Sequence, residues 1–463
     1  MKDFATSSNP AVQRQLDRLA ALSLPQGRFG LETIRALCDR LGNPERRLPP
    51  VFHVAGTNGK GSTCAYLRAI LEAQGYTVHA ATKPHLVRYN ERIRIAGKLV
   101  SDAQLAALLA EVLDAGEDLS PSFFEVTTAA TFLAFARHPA DACVIEVGLG
   151  GRFDATNVLD HQAVCGIASL GIDHEAFLLA PEDGVPSEPL SRIGFEKAGI
   201  ARAGVPLVMQ AYPLEVTRTI IEHAMQVGAK TAIRGLDWFA EVGERIAYRD
   251  IHGELDLPLP DMPGTHQADN AALVVAMLRH QSALAVSQEA MAEGISSARW
   301  PARLQLLGPG PLTALVPGHR VWLDGGHNRD AGEAIARFFG TGSGRASTSS
   351  ARAGLGDETI EKSAHAGPVE ARAPTLHLVI GMLANKNPAA IIAPLAPHLA
   401  SITAVPIPGS EAHPPEAYAT AVLTAPDVPS ALGCLPDDGL DVLIAGSLYL
   451  AGEVLRLNAE CPD

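Results

Sequence analysis

No stretch of the chain approaches the ~18 uninterrupted apolar residues that a membrane-spanning helix requires. The opening residues, MKDFATSSNPAVQRQLDRLAAL, also lack the apolar segment of a secretory signal. Aromatic residues make up only 5% of the chain, while Ala, Gly and Leu dominate, a composition that suits layered α/β packing. The six cysteines show neither CxxC pairs nor a framework spacing, which excludes a disulfide scaffold. Cys143 and Cys165 sit within apolar runs and are expected to be buried as small hydrophobes. Positive charge is in deficit: a formal net charge of −14 counts against a nucleic-acid or anionic-membrane surface. These absences predict a cytoplasmic protein in a reducing compartment, with neither nucleic acid nor membrane as partner.

What is present is organised. At 463 residues the chain exceeds one typical core, so roughly two to three domains are expected. The apolar runs PPVFHVAG, DACVIEVG, QAVCGIASL, VPLVMQ, RVWLDGG, LHLVIGML and LDVLIAGSL read as buried parallel strands. Between them lie helical patterns at 62–73, 101–115, 127–137 and 270–279, and the alternation predicts βαβ units with sheets covered on both faces. Residues 340–374 are rich in Gly, Ser and Ala without hydrophobic period and are expected to be a disordered insertion within a domain. The domain boundary falls near EGISSARWPARLQ, dividing the chain into 1–296 and 297–463. Charge is uneven too. Lys60, Arg68, Lys83, Arg88, Arg92, Arg94 and Lys98 face only Glu72 and Glu91 between residues 60 and 98, either as a site for an anionic ligand or as a solvated basic surface.

The first of those runs leads into HVAGTNGKGST. Gly56 precedes Gly59-Lys60 by less than the usual phosphate-loop spacing, and Gly61 separates Lys60 from Ser62. The ingredients of phosphate binding are nevertheless in place. Gly56, Gly59 and Gly61 let the backbone approach an anion, a helix begins near Ser62, Lys60 supplies positive charge, and Ser62 or Thr63 offers a hydroxyl to a metal. The bland alternative is a glycine-rich strand–helix turn without ligand. Downstream, VIEVGLGGRFDATNV sets Glu146 at a strand end, either to hold Mg²⁺ or as a satisfied carboxylate, and SLGIDHEAFL sets Asp173-His174 after another strand. Lys197 in IGFEKAGIARAG reads on its own as a helix-surface lysine. Asp324, His327 and Asn328 in WLDGGHNRDAG and Arg303 in PARLQ gather near strand ends of the second half, which suggests a site built from both domains.

In this order the segments HVAGTNGKGST, KPHLVRYNERIRI, SFFEVTTAATFLAF, EVGLGGRFDATNV, GIDHEAFL, EKAGI, PARLQ, LDGGHN and VIGML closely resemble the folylpolyglutamate synthase and dihydrofolate synthase family of the Mur-ligase superfamily, from about Phe29 to Leu455. The resemblance implies an N-terminal P-loop Mur-ligase-type ATPase domain with a parallel-rich sheet, and a smaller C-terminal Rossmann-like α/β domain that carries the glutamate ligase function. It implies an ATP-dependent ligase that activates a carboxylate as an acyl phosphate and couples it to L-glutamate. The acceptors are dihydropteroate, giving dihydrofolate, and then reduced folates. By motif, Gly56, Thr57, Asn58, Gly59, Lys60, Gly61, Ser62 and Thr63 hold the triphosphate, and Asn270, Arg303 and Asp324 contact ATP. Glu146 and His174, with Ser62, match the Mg²⁺ ligands, and two ions are implied. Lys197 matches a carbamylated lysine, counted with Lys60 and His174 as catalytic, which replaces its surface reading. Ser122, Phe123, Phe124, Glu125, Phe153, Asp154 and Ala155 match the pterin pocket, and His327 and Ser447 the glutamate end. The resemblance also implies a monomer.

One position departs from the family. Lys83 stands in KPH where the family has a serine that ligates Mg²⁺; a protonated lysine cannot do that and is expected to contact phosphate instead. Asn385 and Asn387 stand where acidic residues flank the family's lysine in GMLANKN, and the 340–374 segment is not a family feature. Two alternatives remain at this stage. One is a Mur-type ligase of a peptidoglycan precursor, disfavoured because only about 50 residues precede the loop. The other is a non-catalytic nucleotide-binding regulator.

Overall fold

Strands that are buried on both faces lose their polar alternation, and the apolar runs of the sequence are such strands. In the computed structural model, which describes residues 6–22, 30–340, 375–418 and 422–462, the first sheet contains β1 (Val51–Ala55), β2 (Val78–Ala81), β3 (Ile93–Ile95), β4 (Lys98–Leu99), β5 (Ala142–Glu146), β6 (Gln162–Ile167), β7 (Pro206–Met209) and β8 (Lys230–Ile233). Its eight strands run in the order β4-β3-β2-β5-β1-β6-β7-β8. All neighbours from β2 to β8 are parallel, and the β4-β3 ribbon is added antiparallel at one edge. Every residue of β1 and β5 is buried. The chain leaves β1 for β2, fills the gap with β5, and then continues on the other side through β6. Strand order therefore reverses beside β1, the kind of switch point where open α/β sheets hold ligands.

The helix Thr265–His280 has no wet face along Asn270–Leu278, which is buried throughout. Its Met277 packs where a side chain on Gly166 of β6 would stand, so this helix lies directly on the sheet. Three further strands, β9 (Trp238–Val242), β10 (Ile246–Asp250) and β11 (Gly253–Leu257), form a small antiparallel sheet that the sequence reading did not anticipate. Trp238 and Tyr248 stack within it at 6.0 Å. Cys143 and Cys165 are fully buried, as their apolar surroundings predict.

The chain divides into two compact units. The first comprises Met1–Met262, His266–Pro301 and Cys461–Asp463, and the second Pro263–Thr265 and Ala302–Glu460. The second unit contains β12 (Gln305–Leu306), β13 (Val321–Leu323), β14 (Leu376–Ile380), β15 (Leu399–Ala404), β16 (Leu423–Thr424) and β17 (Asp441–Ala445). They form a six-stranded sheet in the order β12-β13-β17-β14-β15-β16, parallel apart from the β12–β13 pair. The segment expected to be a disordered insertion falls on residues 341–374, outside the described residues, and Gly340 closes the helix Arg329–Gly340. Among the described residues no helix is long and apolar enough to cross a membrane.

Candidate active site

The loop after β1 runs straight into the helix Lys60–Ala73. Gly59 precedes that helix at φ +80°, and a Cβ there would lie 2.5 Å from Asn270 Oδ1. A Cβ on Gly61 would lie 2.6 Å from Trp300 Nε1, so both positions need glycine for close packing, and Gly59 needs it for conformation as well. The N–H groups of Thr57 and Asn58 donate to Ser169 O beyond β6, at 2.7 and 3.3 Å. Those two donors tie the loop to the sheet. The first-turn N–H groups of Lys60, Gly61 and Ser62 have no partner within the helix, as at any helix start. Lys60 Nζ lies over the loop, donating to Gly56 O at 3.0 Å and Thr57 O at 3.1 Å. Ser62 and Thr63 are buried in the first turn.

A cleft with about 290 Å³ of empty space opens there, lined by Gly56, Thr57, Lys60, Val147–Gly150, Asp173, His174, Leu178 and Lys197. The loops that build it follow β1, β5 and β6, three adjacent strands. Lys197 is buried near the end of the helix Pro189–Ala198 rather than on a surface, which corrects the reading of its helix in isolation. A Cβ on Gly151 would lie 2.7 Å from Glu196 O, so the glycine loop after β5 and this helix touch backbone to backbone. Burial, reinforced by the charge of Lys60, draws the Lys197 ammonium down to about 7, while Asp173, Asp154 and Glu196 oppose the shift. Two arginines anchor the same helix: Arg152 and Arg192 each pair with Glu182 and Glu196 at 2.6–3.0 Å.

His174 takes a left-handed conformation at φ 53°, with its N–H donating to Asp173 Oδ1 at 2.7 Å. The sequence reading gave His174 a role and Asp173 none, although Asp173 lines the cleft and acts on Lys197. Its position directly before His174 was the available signal. Glu146, buried at the end of β5, accepts the backbone N–H of Lys83 at 2.9 Å. Among the described residues no three His, Cys, Asp or Glu side chains converge to hold a metal by themselves. Glu146 ends β5, His174 follows β6, and Ser62 lies in the first helical turn after β1, so all three come from elements that follow adjacent strands.

Beyond Glu146 lie the residues matched to a pterin pocket. Ser122 and Glu125 form a capping box at the start of the helix Phe123–Arg137. Glu125 N donates to Ser122 Oγ at 3.3 Å, and Ser122 N and Oγ both reach Glu125 Oε2 at 2.8 Å. Their side chains are thus spent on positioning Phe123 and Phe124. The tip of the Phe124 ring lies against Gly148. Asp154 is buried, with Oδ2 accepting from Gly148 N (3.0 Å) and Leu149 N (2.9 Å) and Oδ1 from Thr156 N (3.0 Å) and Thr156 Oγ1. In this state it orders the loop that carries Phe153 and Ala155. Arg152 lies over the Phe153 ring at 4.2 Å.

In the second unit Arg303 is flanked by Ala302 at φ 54° and Leu304 at φ 46°, two non-glycine residues held in the left-handed region. Such strain needs support, and Asp324 at the end of β13 gives it by accepting Leu304 N at 2.8 Å and Gly326 N at 2.6 Å. His327 Nδ1 contacts Gly325 O at 3.0 Å. Ser447 caps the helix Leu448–Leu457 by accepting Tyr449 N at 3.1 Å.

A glycine loop at a helix start, set at the switch point of a doubly wound sheet beside a strand-end carboxylate, defines a nucleotide-using enzyme of the P-loop class. No family model matches the chain. It is 39% identical over 307 residues to the dihydrofolate synthase/folylpolyglutamate synthase of Escherichia coli (strain K12), covering 66% of this chain and 67% of that one. It is 36% identical over 330 residues to the Bacillus subtilis (strain 168) protein of the same name, covering 66% and 71%. The solved structure of E. coli FolC in complex with DHPP and ADP matches with a TM-score of 0.80 at 31% identity over 97% of both chains. A bifunctional folylpolyglutamate synthase/dihydrofolate synthase with Mn, AMPPNP and L-glutamate bound matches at 0.78 and 27% identity, covering 98% of this chain and 99% of that one. The chain belongs to the dihydrofolate synthase/folylpolyglutamate synthase family, within which it is an ATP-dependent ligase. Neither a peptidoglycan ligase nor a non-catalytic regulator is favoured by these similarities.

Proposed function

We propose that the first unit binds ATP and a dihydropteroate-type acceptor and that the second unit receives L-glutamate, so that the chain makes dihydrofolate and then adds glutamates to tetrahydrofolates. The observation that carries this reading is a cleft that gathers the glycine loop, Lys60, Asp173, His174 and Lys197. The γ-phosphate of ATP passes to the acceptor carboxylate, giving an acyl phosphate and ADP. The amine of glutamate then attacks the acyl carbon, loses its proton and expels phosphate. Both steps gather negative charge, so the chain's task is neutralisation and positioning rather than nucleophilic attack.

Lys60 exchanges the carbonyls of Gly56 and Thr57 for the terminal phosphates, over the N–H groups of the helix start. Residues 56–63 form the cradle, and Asn270 contacts the nucleotide from behind the loop. Glu146 and His174, with Ser62, hold Mg²⁺, which when bound neutralises phosphate oxygens. With a pKa near 7, Lys197 has a neutral amine available for addition to carbon dioxide; the carbamate is an anion that helps to place a second ion. Phe124 stacks on the acceptor ring, with Phe123, Phe153 and Ala155 beside it. Ser122 and Glu125 fix that helix start, and Asp154 exchanges a loop donor for the pterin edge. In the second unit Arg303 and Asp324 serve ATP, and His327 and Ser447 serve glutamate. We also propose a monomer acting in the cytoplasm; its six cysteines are free thiols, four of them buried.

The test is ADP release by the purified protein with Mg²⁺-ATP, dihydropteroate and glutamate, each omitted in turn. Release that persists without glutamate, with no amide product, would overturn the ligase reading. Tetrahydrofolate as acceptor then separates a bifunctional enzyme from one with a single activity.

A further inference from the structure

Lys83 follows β2 at the rim of the sheet, beside Glu146 at the end of β5, the strand with which β2 pairs. Its stem is partly exposed, but Nζ is covered and has no hydrogen-bond partner among the described residues. That nitrogen stands 4.1 Å from the centre of the Phe124 ring. A cation–π contact recovers only a small part of what it costs to take an ammonium out of water. The carboxylates whose fields reach it are otherwise engaged. Glu146 Oε2 accepts the backbone N–H of Lys83, and Asp154 is held by Gly148 N, Leu149 N, Thr156 N and Thr156 Oγ1. The cleft at the glycine loop is lined by Lys60 and Lys197 as its lysines.

A dry, unbonded ammonium on the face of an aromatic ring is a ready receptor for a flat ligand that carries an anionic oxygen. We propose that Lys83 is a substrate-binding residue whose Nζ pairs with the carboxylate of the aromatic acceptor as the acceptor ring takes over the face of Phe124. The inference rests on the folate-ligase reading and adds to it the group that recognises the carboxylate to be activated. It also gives position 83 a role of its own in this chain, one that requires a cation and no metal bond.

The test compares the unaltered protein with Lys83→Met and Lys83→Arg by equilibrium titration with dihydropteroate and with its methyl ester. Lys83→Met is expected to bind dihydropteroate about 10- to 100-fold more weakly, the range for losing a charged hydrogen-bonded pair, with Lys83→Arg in between. All three proteins should bind the ester alike, and ATP equally well. The ligand-free Lys83→Met protein should melt at a higher temperature, because an unpartnered buried charge has gone. Equal affinity for dihydropteroate, an equal loss with the ester, a loss confined to ATP, or a lower melting temperature would each overturn the proposal. Failure of the unaltered protein to bind dihydropteroate would instead overturn the folate reading, and the inference with it.

Discussion

Two regions of the first unit each place a buried lysine among carboxylates, and they differ in what the lysine can reach. Lys197 opens onto the cleft of the glycine loop, beside Asp173 and His174. Lys83 is closed over by Phe124. Burial lowers the pKa of both. The open lysine has a neutral form that a small electrophile can meet, whereas the closed one has only the ligand that displaces it from its ring. Burial sets the availability of the proton, and access decides whether the group is modified or binds.

The sharpest break in that comparison is at the cation that neither buried lysine replaces. Lys60→Ala should lower kcat by about 10²–10³-fold or more, as removal of a preorganised charge does, while circular dichroism and melting stay near those of the unaltered protein. Next, Lys197→Ala should lose on the order of 10²-fold in turnover and recover part of it with added formate, which stands in for the carbamate. No such rescue is expected for Lys83→Met. Glu146→Gln should raise the Mg²⁺ concentration for half-maximal activity by roughly 10- to 100-fold, read by metal titration.

A smaller effect lies in the stability profile. In carbon-dioxide-free buffer the native Lys197 releases its proton near pH 7, whereas its ordinary value is 10.5. The unfolded chain therefore holds more protons across that window, and stability should climb as pH rises through it. Urea unfolding should show this slope and Lys197→Met should flatten it. The smallest effect separates positioning from contact. Ser101→Ala and Ser122→Ala each remove a capping box and should cost about 1 kcal/mol. Only Ser122→Ala, which loosens the start of the helix carrying Phe124, should also raise the KM for the acceptor.

The seven apolar runs coincide with β1, β5, β6, β7, β13, β14 and β17 because strands covered on both faces need no polar positions. The β9–β11 sheet escaped that reading, since β10 alternates buried and exposed residues and carries Arg249 and Asp250. The phosphate loop was legible because strand, glycines, lysine and helix are contiguous. Lys197 was not, because its burial depends on Gly151, from another loop, meeting its helix. Ser122 and Glu125 show a local signal outweighed by a resemblance: S-x-x-E before an apolar run already spells a capping box. The place of Lys83 depends on the Phe124 ring, far away in sequence, and no spacing reports that.

The close fit of Gly59 against Asn270 and of Gly61 against Trp300 bears on synthesis. The motif HVAGTNGKGST leaves the ribosome early, but the side chains that back it arrive only with the buried helix and the turn beyond it. A nascent chain has the glycines and Lys60 long before it has a loop of defined shape. The packing that gives the loop its shape is therefore complete only near the end of the first unit, and a fragment ending ahead of Trp300 would carry the signature without the side chain that backs Gly61.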